Sequence, residues 1–587
     1  MMRNRSFVLV VACATALALA LPAGSARAVD LDVRPLGDVR LDALAAKYFS
    51  EQWRLDPSRA TAVGVHDYDD VLGSFGADGY AERLAVAKRT LAALRAIDPG
   101  SMGSEASYDA QMLANALEST IAAIGVRETW KHEPASYAQI ASGAIYALLS
   151  RDFAPLPDRM RSAIARERQI PALLDAAAAN VTTVDATTAQ IARTNIGGTI
   201  GFFSTVVPLA FAPVKDAALQ AQLGAANDGV VAAVRAYLAK LDAGAFAHPS
   251  GTFAIGASAF AERLRLQETV PISLVEYERV GVAALAKTKS EFVNTAKRID
   301  PTKTPGEVAA ALGARHPAEG DLIAKATSDL AALRAFVIAH HIVTLPADDD
   351  VRVVPTPEFQ RATTFASMNS PGVFERHATE AFYNVTPVEP TWTAERKQQH
   401  LSFFNDAYFP LVSAHEVMPG HYVNHGLAMH ETLSLIRRVL WSPSFGEGWA
   451  HYTEQMMVDE GWGDGDPHVR LAQLQGALLR ECRYLVGLRE HTAGMTVDEA
   501  TAFFEANAFM AAEPAHREAL RGTGDPLYGY YTLGKLELLK LRDDYRRVMG
   551  PKYSLQGFHD ALLAHGDPPM AIARKELLGS GDDGKLL

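Results

Sequence analysis

Hydrophobic positions along this chain recur mostly at intervals of three and four residues, the spacing that lines one face of an α-helix. Leu44, Tyr48 and Phe49 mark such a face over about 41–53, and Asp56-Pro57 ends it. A polar loop is expected over 62–70 and a second helix over 80–97. Met112, Leu113, Ala116, Leu117, Thr120 and Ile124 put one apolar stripe on a helix over 108–124. Alanine-rich helices are expected at about 137–150, 157–180 and 182–194, and further ones at 214–242, 253–267, 272–298, 305–315 and 317–341. Gly197-Gly198-Thr199-Ile200-Gly201 lacks the strand and spacing of a dinucleotide-binding turn, so it reads as a helix break or a tight crossing. No repeat of fixed period is evident.

The texture changes between Val351 and Pro390. Val351 to Val354, Thr363 to Met368 and Ala381 to Val385 are short β-type runs among prolines, the one plausible sheet of the chain. It falls just ahead of a histidine motif, a place that suits a strand lining a cleft and pairing with an extended peptide. A small structural sheet would leave the same pattern. Helical spacing returns at 394–406 and continues through the motif. Asp466-Pro467 opens a helix to His491 that carries Leu471, Leu474, Leu478, Cys482 and Leu485 on one side. Thr496-Val497-Asp498-Glu499 reads as a capping box for a helix to about Met510, and a last long helix spans about 530–549. The predicted fold class is mainly α, with a small sheet beside a cleft.

With 587 residues the chain exceeds one small core, so two lobes are expected: 29–345, helical, and 346–587, with the sheet and the histidine motif. Residues 1–28 read as a secretory signal peptide. Arg3 and Arg5 precede an apolar run from Phe7 to about Leu21, and Ala26-Arg27-Ala28 supplies small residues for cleavage. Val10-Val11-Ala12-Cys13 resembles a lipoprotein box, but few apolar residues precede Cys13, which favours simple export to the periplasm. No later stretch reads as long and apolar enough to span a bilayer. Once the leader is gone Cys482 stands alone, in an apolar helical pattern that points to core packing. The net charge of −12 gives no basic face for nucleic acid.

Candidate chemistry centres on His415-Glu416-Val417-Met418-Pro419-Gly420-His421, followed by Gly446-Glu447-Gly448-Trp449-Ala450-His451. Two imidazoles, a further carboxylate and an unligated glutamate are what a zinc hydrolase needs. The usual motif places its histidines four apart on one helical face, whereas here they are six apart. Pro419 and Gly420 allow the turn to bulge and bring His421 back. Phe409, Leu411, Val412, Val417 and Met418 imply that the motif is buried, where polar side chains need partners. His415, His421 and Glu447 are therefore the expected Zn2+ ligands, with His425 a competing choice. Glu416 is the expected proton-handling base. His451, four residues after Glu447, would support a ligand or the substrate, unless the pair is only a structural hydrogen bond. One phenol among Tyr528, Tyr530 and Tyr531 could stabilise an oxyanion. No G-x-S-x-G elbow is present, and Gly529 to Lys535 fails as a phosphate loop.

These residues resemble a known family. The run from His415 to His421, Glu447-Gly-Trp-Ala-His-Tyr452, the Arg480 to Ala500 segment and Tyr531-Thr-Leu-Gly534 look like the bacterial proteins labelled domain of unknown function 885. Tyr48 to Gly64 shares the likeness more weakly. The resemblance implies a two-lobed helical zinc-peptidase-like body with His415, His421 and Glu447 as ligands and Glu416 as base. It further implies Tyr531 as oxyanion partner and Arg483 and His491 as substrate residues. The function expected is hydrolysis of short peptides. The alternatives are hydrolysis of a non-peptide amide or ester, and a peptide-binding protein without turnover.

Overall fold

Short polar side chains set where the helices begin. Asp38 accepts from the Arg40 and Leu41 amides to start the helix Val39–Leu55. Thr304 with Glu307, and Thr496 with Glu499, form reciprocal capping boxes, the second of them as the sequence pattern predicts. Asp466 caps Pro467–Thr492 with proline at its first turn. The computed structural model describes residues 37–346, 351–357, 361, 364–428 and 432–587. The expected signal peptide and Thr363 lie outside these.

The fold is mainly helical with one small sheet. Strands β1 (Val351–Pro355), β2 (Ala366–Asn369) and β3 (Ala381–Val385) occupy the three expected runs. Their order is β1-β3-β2, with β1 parallel and β2 antiparallel to β3, so β2 is an outer strand. Most expected helices form with ends shifted by a few residues. The 157–180 segment divides into Leu156–Glu167 and Ile170–Asn180, and Ala512–Gly524, Leu555–Leu563 and Met570–Leu578 add helices that spacing did not reveal.

The glycine-rich stretch at 197–201 is neither a break nor a tight crossing. The helix Ala186–Gly201 runs through it into a π-turn over Phe202–Val206 and on to Phe211, and apart from the helix's own backbone no described atom stands within 4 Å of a Cβ placed on Gly197, Gly198 or Gly201. This stretch also corrects the expectation about apolar segments. By length and composition alone Ala186–Phe211 could cross a membrane, with a mean hydropathy of 1.2. Here Ala189, Ala192, Ile196, Phe203, Val207 and Phe211 pack into a helical core, while Arg193, Thr194, Asn195, Ser204 and Thr205 face outward. These six apolar residues are thus core residues, while Leu209 stays half exposed.

Four hydrophobic clusters hold the chain together. One lies wholly within Leu72–Phe246. The other three draw on both sides of the expected boundary at 345. Leu41–Leu117 packs on Leu435, Ile436, Val439 and Ile572, and Phe260–Leu312 packs on helix Pro467–Thr492. The sheet and the histidine motif share a core with Leu322–Val343. The boundary at 345 therefore follows sequence texture, while burial crosses it. Cys482 is buried in the third of these cores, as its pattern predicts.

Candidate metal centre

His415 stands near the end of helix Phe409–Glu416, and His421 opens the next, His421–Ala428. The helix does not bulge between them; it stops and restarts. Val417–Gly420 crosses the gap, tied by Gly420 N to Ala414 O (2.9 Å) and by the Trp449 indole to Pro419 O (2.9 Å). A side chain at Gly420 would overlap the His415 carbonyl, so only glycine permits this closure. The two imidazoles end with ring centroids 4.9 Å apart at 89°.

Glu447 comes from helix Pro443–Asp459, which packs against both the His415 helix and the His421 helix. Its Oε2 lies 3.5 Å from His415 Nε2 and 3.4 Å from His421 Nε2, and the three ligand atoms all fall within 4.8 Å of one another. Four-coordinate ligation at about 2.0–2.1 Å sets ligand atoms roughly 3.3 Å apart, close to the two Glu447 separations, so these three residues could hold one zinc-sized ion. Glu447 Oε2 is buried without a hydrogen-bond donor, which such an ion would satisfy. Burial opposes charge on His415, but Glu447 and Glu454 outweigh it and hold the ring up at about 9. The pocket is built to surround positive charge.

Glu454 is the residue that the sequence reading missed. Its Oε1 takes His415 Nδ1 at 2.8 Å and Arg480 Nη2 at 3.0 Å, fixing the tautomer that turns Nε2 towards the ligand cluster. Burial alone would raise the Glu454 carboxyl, yet Arg480 and the neighbouring imidazoles keep it well below the usual carboxylate range. A signal for it existed, since Glu447, His451 and Glu454 recur at helical spacing along one face.

Glu416 lies at the His415 helix end, and its Oε2 accepts from Met368 N in β2 at 2.9 Å. The base candidate and the outer strand are thereby joined. His451 is fully buried, 3.5 Å from Glu454; burial first, then Lys535 and Arg480, push its pKa well down, so it is a neutral ring. Arg480 and Arg483 each bring a guanidinium carbon to 5.4 Å from the centroid of the Tyr531 ring. Tyr530 accepts from Arg521 at 3.4 Å and lies within electrostatic reach of Glu447. Arg483 makes paired bonds of 2.7 Å to Glu518.

Two histidines are not brought to the ligand cluster. His425 donates to Pro371 O at 3.0 Å and lies outside the three-residue group. His491 sits eleven residues after Arg480 on one helix, roughly 16 Å further along it. Its Nε2 faces Gly522 O at 2.9 Å and its Nδ1 accepts from Ile255 N at 3.3 Å, so the main chain occupies both ring nitrogens of the expected substrate residue.

The whole architecture recurs in solved structures. A candidate lipoprotein of unknown function from Shewanella oneidensis superposes with a TM-score of 0.78 at 24% identity, covering 91% of this chain and 99% of that one. A candidate lipoprotein from Colwellia psychrerythraea gives 0.75 at 17% identity, covering 92% and 99%. No curated protein matches significantly. The family model of a bacterial protein of unknown function (DUF885) matches residues 57–577, and the chain belongs to that family.

Proposed function

We propose that this protein is an exported zinc-dependent peptidase acting on short peptides. The observation that carries the reading is the convergence of His415, His421 and Glu447, with Glu447 Oε2 3.5 and 3.4 Å from the two ring nitrogens, close to two edges of a zinc coordination shell. Two imidazoles and a carboxylate are the donor set of catalytic rather than closed structural zinc sites. When bound, such an ion supplies Lewis acidity and an acidified water. Glu416, next to His415 in the chain and outside the ligand cluster, is the group proposed to take a proton and return it to a leaving amine. Glu454 orients His415 and keeps its charge compensated. The outer strand β2 next to Glu416 suits an extended peptide, whose main chain can pair along it. The neighbouring folds, described as candidate lipoproteins, support export.

Metal analysis of wild type and His421→Ala tests this directly. About one zinc per chain is expected in the wild type and none in the variant. Glu416→Gln should keep its zinc and lose about 10²–10⁴-fold in kcat on a peptide panel. A wild type that takes up no metal when zinc is supplied would sink the reading. Zinc uptake with hydrolysis only of non-peptide amides or esters would move the substrate class.

A further inference from the structure

Folding leaves one large aromatic side chain in water beside the candidate metal centre: Trp441 stays 58% exposed. The chain on either side of it is pinned. Leu440 packs against the core built on Leu41–Leu117. Ser442 is buried, its amide donating to the Asp567 carbonyl at 2.9 Å and its hydroxyl to Glu268 Oε2 at 2.7 Å. The exposure of Trp441 is therefore not that of a loose segment. Phe365, the other exposed large ring, stacks on Phe403 with centroids 4.2 Å apart, whereas Trp441 has no such ring partner among the described residues.

What the indole does touch is the helix that carries Glu447. Its Cε3 and Cζ3 stand 3.5 Å from where a Cβ on Gly446 would be, and Gly446 immediately precedes Glu447 in helix Pro443–Asp459. Trp449, three residues after Gly446 and so on the same face, reaches the carbonyl of Pro419, two residues before His421. Trp441 thus borders the side of the helix turned towards His421. That is also the side on which the ligand cluster opens. The side chains of His421 and Glu447 are 25% and 22% exposed, against 9% for His415. Trp441 and Gly446 hold the positions just before the Ser442 cap and four residues after it, where two apolar side chains can staple a helix start. With glycine as the second member there is no side chain to pair with, so a staple accounts for the contact and leaves most of the indole uncovered.

We infer, resting on the peptidase reading above, that Trp441 is a substrate-binding platform at the mouth of the metal centre. Its open indole stacks on one apolar side chain, aromatic above all, of a residue flanking the scissile bond. The test uses the zinc-loaded enzyme and peptides carrying Phe, Leu, Ala or Lys at each flanking position. The wild type should prefer Phe to Ala at one position by about tenfold in kcat/KM. Trp441→Ala should lose that preference, with the Phe peptide down about tenfold and the Ala peptide within about threefold. Its Tm should stay within about 2 °C of the wild type, because a largely exposed side chain is removed. Equal losses on the Phe and Ala peptides, or none on either, would overturn the inference, and a fallen Tm with equal losses would make Trp441 a helix staple. A wild-type preference for Lys over Phe would also overturn it. If the wild type cleaves no peptide, the peptidase reading fails by itself. Calorimetric binding of the same peptides to Glu416→Gln, with and without Trp441→Ala, then decides the platform. Weakened binding of the Phe peptide alone upholds it, and no binding, or no dependence on residue 441, refutes it.

Discussion

At the scale of single residues, the candidate centre depends on a carboxylate that supplies no ligand atom but holds the ring of His415. Glu454 is 1% exposed and shares one oxygen between His415 and Arg480. Replacing it with glutamine keeps the shape but removes the negative charge between two cationic groups. Glu454→Gln should weaken zinc binding by about 10–100-fold, measured by competition with a chromophoric chelator. It should also lower stability, because Arg480 is left buried beside a neutral amide. Unchanged zinc affinity would mean that Glu454 serves packing alone. Gly420 shows the opposite kind of dependence, since it matters for the atoms it does not have.

At the scale of elements, the centre depends on two helices that meet backbone to backbone. A Cβ on Gly448 would sit 2.5 Å from Gly534 Cα, and one on Gly534 would overlap the Ser444 carbonyl. This contact seats the start of helix Tyr530–Met549, with its two tyrosines, against the helix that carries Glu447. Gly534→Ala must push the two helices apart. A loss of about 2–3 kcal/mol is expected by chemical denaturation, since overpacking a rigid contact leaves little room to relax. Activity should fall further than stability, because Tyr530 and Tyr531 would move relative to Glu447. A variant with wild-type denaturation and wild-type kcat/KM would show that the contact is looser than it appears.

At the scale of the molecule, three of the four cores bind distant stretches of chain together, and charged groups are buried along with them. The fourth core, within Leu72–Phe246, buries one too: Glu167 is fully buried, with Asn227 able to donate to its Oε1 at 3.0 Å. Burial pushes its carboxyl up to about 8 from an ordinary 4.5. The folded state therefore holds a proton that the unfolded chain releases above about pH 4.5. Stability from this group is complete below that pH and is lost as pH rises through about 8. Glutamine mimics the protonated form. Glu167→Gln should match the wild type near pH 4.5 and exceed it by about 2–5 kcal/mol at pH 9, read by urea denaturation at both values. Equal stabilities at pH 9 would place the folded pKa near its ordinary value.

The sequence by itself determined most of the helices, the three strands and the identity of the metal-centre candidates. Helical spacing, caps and β-branched runs are local properties, set by which face each residue presents. Family membership was legible in the same way, through motifs that stand close together in the chain. Only the tertiary structure decided how histidines six apart could converge, because closing the gap needs a helix stop held by Trp449 from another element. It alone showed that the cores cross residue 345, that Glu454 rather than His451 meets His415, and that His491 is occupied by main chain. It also joined Glu416 to β2. The physical reason is the same in each case. A side chain's partner is chosen by packing between segments distant in sequence, and local spacing carries no record of that choice.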